Sequence, residues 1–135
     1  MIHLDTTVLV DLLREQRCDQ LGPASTYLDG LPEDDVLGAS VHVVCELMAG
    51  VHAAGAPAGE IDRVSRLCEA LAVRYPDERF AEEYGRLLAR TRAAGMSIDM
   101  MDMLIATAAV LDRAPLVTRN TRCFSKVPGL SIETY

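Results

Sequence analysis

The chain has 135 residues, of which 50% are hydrophobic and 24% charged; this suits a single domain of roughly 100–200 residues and excludes a disordered or collagen-like chain. Thirteen basic residues against twenty acidic ones leave a formal charge of −7. That balance excludes an extended basic face for duplex DNA, but not an enzyme that meets phosphate through a cation held among its acids.

Residues 2–4 form a short apolar run that ends at Asp5 and reads as a buried strand. Thr6 or Thr7 is placed to cap a helix carrying Val8, Leu9, Leu12 and Leu13 at helical spacing. Gly22-Pro23 breaks the chain, and a short helix is expected over 24–31. The polar loop 32–35 leads into a second strand at 36–39. Val41, Val44, Cys45, Leu47, Met48 and Val51 then predict an amphipathic helix over 41–54. After the small-residue break at 53–59, Ile61, Val64, Leu67, Cys68 and Leu71 mark another helix, and 72–75 a strand before Pro76. Phe80, Tyr84, Leu87, Leu88 and Thr91 predict a helix ending near Gly95. The last long helix opens at 97–99 and runs to about 113. A strand at 116–118, a turn or helix at 121–124 and a strand within 130–133 complete the chain. This alternation predicts an α/β chain: a three-layer α/β/α sandwich around a mostly parallel sheet of about five strands.

No apolar run reaches the ~18 residues of a membrane span. The opening Met1-Ile2-His3-Leu4-Asp5 lacks the basic start of a signal peptide. A cytoplasmic protein away from membranes is expected, with Cys18, Cys45, Cys68 and Cys123 as reduced thiols, too far apart in sequence for a zinc-ligand pair. His3, His42 and His52 are scattered and suggest no histidine metal site.

Ligands of an open parallel sheet bind beyond the carboxyl ends of its strands. Asp5 ends the first strand, Ser40 follows the second and Asn120 follows the fourth. Glu46 lies in the helix after Ser40. Asp99 and Asp102, three apart, share a face at the start of the last long helix. Gathered carboxylates repel and remain charged together only around a cation. Mg²⁺ or Mn²⁺ suits such a set, because hard ions take oxygen and Mg²⁺ needs only one or two direct carboxylates; such a centre favours phosphoryl chemistry. Plainer readings stand beside these. Asp5 and Asp99 could each be a helix cap, Asp102 a first-turn acid favoured by the helix dipole, Glu46 a solvated helix residue and Asn120 a turn former. Met96, Met100, Met101 and Met103 read as core or interface filler. Arg119, Arg122 and Lys126 cluster after the fourth strand as phosphate contacts or ordinary surface charge.

Taken together these segments resemble the PIN-domain family, in particular the VapC toxins of toxin–antitoxin systems. The resemblance rests on four stretches in order: Ile2-His3-Leu4-Asp5-Thr6-Thr7-Val8-Leu9, Glu46-Leu47-Met48-Ala49-Gly50, Asp102-Met103-Leu104-Ile105-Ala106-Thr107-Ala108, and Leu116 to Phe124 with its Thr118-Arg119-Asn120. It covers nearly the whole chain and implies a single PIN-like domain. It assigns metal ligation to Asp5 and Asp102, makes Glu46 the second acid acting on the metal directly or through water, and places Asn120 where the polar cluster is completed. Asp99 has no firm counterpart but is near enough to contribute. The implied activity is a Mg²⁺- or Mn²⁺-dependent endoribonuclease cutting tRNA or rRNA. The implied partners are a small antitoxin and a second copy of the chain, with the helices carrying Val8, Leu9, Leu12 and Leu13 and Val41 to Val51 as candidate contact surfaces. Two positions depart from the family pattern: Thr7 stands where Asn is frequent, and Cys123 where Asp or Glu is common. The second departure motivates an alternative, a PIN-like binding or scaffold module with weakened catalysis. A phosphatase or receiver-type protein using Asp5 as nucleophile fits poorly, since Thr6-Thr7 follows Asp5 where a second acid is needed.

Overall fold

The computed structural model describes residues 1–135. Its strands are β1 (Ile2–Leu4), β2 (Leu37–Ser40), β3 (Ala72–Arg74), β4 (Leu116–Val117) and β5 (Ile132–Glu133). They form one sheet in the order β3-β2-β1-β4-β5, and every adjacent pair is parallel. The helices are α1 (Thr6–Cys18), α2 (Pro23–Asp29), α3 (Val41–Ala53), α4 (Glu60–Glu69), α5 (Phe80–Ala93), α6 (Met100–Asp112) and α7 (Thr121–Phe124).

The chain steps outward from β1 through β2 to β3, then returns across the sheet to β4 on the other side of β1. Right-handed crossovers therefore place α1–α4 on one face and α5–α7 on the other. The packing agrees in the main: α1 lies against α2 and α3, and α3 against α4, while α6 lies against α5 and α7; α3 and α6 also meet each other. The expected three-layer sandwich is present, with an all-parallel sheet. The direction of winding reverses between β1 and β4, which opens a crevice beyond their carboxyl ends.

The core explains why the helices stay. Val8, Leu9, Leu12 and Leu13 of α1 are all buried, so most of the apolar face expected as a contact surface is covered by the chain itself, with Leu13 left at the wall of a groove. Helix α6 buries Met103, Ile105, Ala106, Ala108 and Ala109, and its small residues let it lie close to the sheet. Element ends differ from expectation by local chemistry. α2 begins at Pro23, because proline suits the first helical position. α6 begins at Met100, because the Asp99 carboxylate accepts from the Met101 N–H at 2.9 Å. β2 is shifted one residue later: Val36 is left exposed, and Ser40 pairs with Arg74.

A polar network runs from the buried β1 outward to the surface. His3 of β1 is fully buried, and its Nε2 lies 2.8 Å from Asp112 Oδ2 at the end of α6. Asp112 also receives Arg74 Nε and Nη2, each at 2.8 Å. His3 Nδ1 has no partner. Burial lowers the His3 imidazole below its usual range against the pull of Asp112, so the ring is neutral and its Nε2 donates. Burial lowers His42 as well. Below the ordinary histidine value, about 6.5, the unfolded chain binds protons that these rings refuse. Stability is therefore full above that value and is lost as the pH falls below it. Urea midpoints are expected to drop between pH 7.5 and 5.5. His3→Gln, which keeps a donor toward Asp112 but cannot titrate, is expected to flatten that drop; an unchanged profile in this variant would remove His3 from the account.

Candidate active site

The ladder fixes the first acid. Leu4 pairs with Val117, and the bonding continues past both strands: Asp5 N–H donates to Val117 O and Thr118 N–H to Glu133 O, each at 3.0 Å. Asp5 and Thr118 therefore stand side by side at the switch point. Asp5 is only 3% exposed. It occupies the N-cap position of α1 but makes no side-chain cap bond. Instead its Oδ2 accepts from Thr118 Oγ1 at 2.6 Å and from Thr7 Oγ1 at 2.9 Å. Both hydroxyls are held in turn, since Asn120 N–H donates to Thr118 Oγ1 at 2.9 Å and Arg119 N–H to Thr7 Oγ1 at 3.2 Å. Asp5 Oδ1 has no protein partner, yet it is not among the buried unpaired atoms. One oxygen is thus fully committed, and the other remains open to the crevice.

The expected threonine cap of α1 does not form. Thr7 serves Asp5, and Thr6, the first helical residue, donates from Oγ1 to Glu46 Oε2. Helix α3 brings Glu46 there because it starts at the end of β2, capped by the Ser40 hydroxyl accepting from the His42 N–H, and packs against α1. Glu46 is half-buried. Burial pushes its carboxyl up; the Thr6 hydrogen bond opposes this, and the charges of Asp5, Asp102 and Asp99 add to it. Asp102, in the first turn of α6, is also half-buried. Burial raises it too, and the Cys123 thiol, as a hydrogen-bond donor, pulls it back; Asp5 and Asp99 raise it further, while Lys126 lowers it.

The structure therefore brings Asp5, Glu46 and Asp102 within electrostatic reach of one another. They form an open cluster: no three His, Cys, Asp or Glu side chains converge into a preformed cage. Asp99 is exposed and caps α6 with its Oδ1, so it contributes charge from the rim. Asn120 occupies the N-cap position of α7 without a side-chain cap bond, its backbone N–H donating to Thr118 Oγ1. The donor set suits a hard divalent ion, which takes one or two carboxylates and keeps its waters, and the unpaired Oδ1 of Asp5 is a ready acceptor for one. Thr118 is a part of this site that stood only inside a motif of the sequence, and Thr6, expected as a helix cap, holds Glu46 instead. The adjacency of Thr6-Thr7 to Asp5 was the available signal for one of them.

The PIN domain family model matches residues 2–130. The chain belongs to the PIN domain family. Ribonuclease VapC19 of Mycobacterium tuberculosis is 33% identical over 129 residues, 94% of either chain. The structure of VapBC-1 from nontypeable Haemophilus influenzae matches with a TM-score of 0.83 at 26% identity, over 99% of this chain and 98% of that one. VapBC2 from Rickettsia felis, solved bound to a DNA fragment from its promoter, shares the fold with a TM-score of 0.88 at 24% identity, over 100% and 99% of the chains. In this PIN chain the acids gather at the reversal of the sheet, where the winding opens the crevice.

Like charges that raise one another's proton affinity destabilise the folded protein at neutral pH. Glu46→Gln is expected to raise Tm by a few degrees in metal-free buffer at pH 7. Thr118→Val is expected to lower stability by about 1–3 kcal/mol, because a buried carboxylate and the Asn120 N–H each lose a partner. Thermal and urea unfolding check both.

Proposed function

We propose that this chain is a VapC-type endoribonuclease, dependent on Mg²⁺ or Mn²⁺, and the toxin of a toxin–antitoxin pair. The observation that carries this reading is Asp5: a nearly buried carboxylate with one oxygen held by two hydroxyls and the other left free beside two further acids. Asp5 and Asp102 would hold the ion. When bound, the ion polarises the phosphodiester and acidifies a water. Glu46, fixed through Oε2 by Thr6, has its other oxygen free to orient the attacking water and take its proton. Asn120 would complete the polar wall at the carboxyl end of β4.

RNA would be met mainly through its backbone and shape, since two Phe, four Tyr and no Trp leave little for base stacking. The three basic candidates are placed unequally. Arg122 is exposed on α7 and suits a flanking phosphate. Arg119 pairs with Asp11 at 3.0 Å, and Lys126 Nζ donates to Ser97 O at 2.8 Å. A loop of tRNA or rRNA is the proposed target.

An antitoxin segment has a place to lie. A groove of about 250 Å³ between α1, α3 and α4 is lined by Val10, Leu13, Leu47, Val51 and Val64, with Glu46 at its edge. Such a segment would fill it with apolar side chains and could present a cation to Glu46. A homodimer and a cytoplasmic location belong to the same proposal; no helix is long and apolar enough to cross a membrane.

Cys123 favours the second reading, a binding module with weakened catalysis, and the same assays separate the two. Purified protein is expected to cleave RNA with Mg²⁺ or Mn²⁺ and to stop on addition of EDTA. Asp5→Ala and Asp102→Ala are expected to lose at least about 100-fold in rate, the scale of losing a charge-stabilising group, with an unchanged circular dichroism spectrum. Retained cleavage in Asp5→Ala would refute the site. Metal binding without cleavage in the wild type would favour the weakened module.

A further inference from the structure

Arg17, Arg74, Arg79 and Arg86 each donate directed hydrogen bonds to a carboxylate. Arg14 and Arg119 are held differently. Both stand beside one acid, Asp11 of α1, with Arg119 Nη1 3.0 Å from Oδ2 and Arg14 Nη1 3.6 Å from Oδ1, and neither pair has the alignment of a hydrogen bond. The hydrogen bond that Asp11 Oδ2 accepts comes from the Tyr135 hydroxyl, at 2.9 Å. Burial, and then the bond to Asp11, push that hydroxyl up to about 12, so it remains a donor at neutral pH. The Tyr135 ring is itself set against Tyr27, with 6.4 Å between centroids. The Arg14 and Arg119 side chains stay 69% and 51% exposed, while the Asp11 side chain beside them is 13% exposed. Two cations on one sheltered anion leave net positive charge facing solvent, in a chain of formal charge −7. Its place is fixed by the backbone. Arg119 N–H donates to Thr7 Oγ1 at 3.2 Å, and that hydroxyl donates to Asp5 Oδ2 at 2.9 Å. Arg119 therefore leaves the chain at the crevice, on the β4–β5 side of Asp5, whereas Glu46 comes from the helix after β2.

Resting on the ribonuclease reading above, we propose that Arg14 and Arg119 form a subsite for one backbone phosphate of the RNA, flanking the scissile one, with Asp11 as its resident counterion and Tyr135 as the residue that positions Asp11. A guanidinium grips phosphate oxygens through paired N–H donors. An arginine already forked onto a carboxylate must break two bonds before it can do so. Arg14 and Arg119 offer their donors without that loss. Tyr135 occupies the oxygen on which Arg119 would otherwise close, and so keeps Asp11 a neighbour of Arg119 rather than its full partner. The subsite supplies positive charge beside a centre made of acids. It reads the backbone and not the bases, so it fixes where the strand lies without fixing its sequence.

The test is binding of a fluorescein-labelled single-stranded RNA oligonucleotide to the full-length protein in EDTA, where metal-dependent cleavage does not intervene, read by anisotropy from low salt upward. Arg119→Ala and Arg14→Ala are each expected to weaken binding by about 10-fold and to lower the slope of log Kd against log salt by about 0.7, the signature of one lost phosphate contact on a single strand. Asp11→Asn is expected to tighten binding and steepen the slope. Tyr135→Phe is expected to weaken binding about threefold, the scale of one hydrogen bond, with the slope unchanged, because Asp11 then closes on Arg119 with no change of charge. In the Asp11→Asn background the same change has no effect, since Tyr135 acts only through Asp11. Arg113→Ala, at the C-cap of α6, leaves both readouts unchanged. No detectable RNA binding by the wild type, unchanged binding in Arg119→Ala with the native circular dichroism spectrum, or an equal loss in Arg113→Ala overturns the subsite. Adding Mn²⁺ to the same samples separates the two claims. RNA bound through Arg119 but left intact overturns the ribonuclease reading, and RNA cleaved by a protein whose binding ignores Arg119 overturns only the subsite.

Discussion

Asp5 is a carboxylate almost removed from water and placed without a cationic partner, and the arrangement of the site follows from how that is tolerated. An unpaired buried charge costs several kcal/mol. An arginine would offset this, but it would also cancel the charge. Here two threonine hydroxyls converge on Oδ2. They solvate the carboxylate while leaving its charge uncancelled and its second oxygen open. Each hydroxyl comes from a different element, Thr7 from α1 and Thr118 from the end of β4, and each is oriented by a backbone N–H of the segment after β4. The parallel register of β1 and β4 is therefore also the alignment of the site.

The same economy governs the rest of the charge. The arginines are largely occupied by acids away from the centre: Arg17 with Glu60, Arg74 with Asp112, Arg79 with Asp77, Arg86 with Glu83 and Arg119 with Asp11. Lys126 is near enough to lower Asp102, but its ammonium is bound to the Ser97 carbonyl. Glu46 and Asp102 are left with raised proton affinity through burial and mutual repulsion. A protein that commits its arginines to acids elsewhere and withholds them from one acidic cluster sacrifices stability there, as functional sites characteristically do. A bound divalent ion would return that stability on loading.

The sequence carried the acids at the strand ends plainly, because alternation predicts a parallel sheet and a parallel sheet has one productive edge. Asp5 follows from that rule directly, while Glu46 and Asp102, on helices α3 and α6, are singled out by the family resemblance. Their supports follow from neither. Thr118 lies 113 residues from Asp5, and only the register of β1 with β4 joins them. The same blindness hid the network of His3, Asp112 and Arg74, three residues from three elements with no local signature. Apolar periodicity in α1 announced a buried face, but periodicity does not say what buries it. In this chain α1's own sandwich does, and no face remains at Val8 or Leu12 for a partner. Asp99 shows the opposite case: the plain capping reading of that acid is the geometry its side chain adopts, and only its charge reaches the cluster.

Helix α1 gives the proposed groove a direct line to the chemistry. Its first turn carries Thr6 and Thr7, which hold Glu46 and Asp5. Its next turns carry Val10, Leu13 and Arg14, which line the groove. The opposing wall is α3, which contributes Glu46 itself along with Leu47 and Val51. A segment seated there would press on both helices that make the Thr6–Glu46 contact, one to two turns from it. It would need no separate allosteric path, because closely packed helices shift as units rather than yielding locally. Occupying the groove and repositioning the carboxylate proposed to orient water would then be a single event. That coupling suits control of the proposed activity by a bound peptide better than control by blockage of the crevice alone.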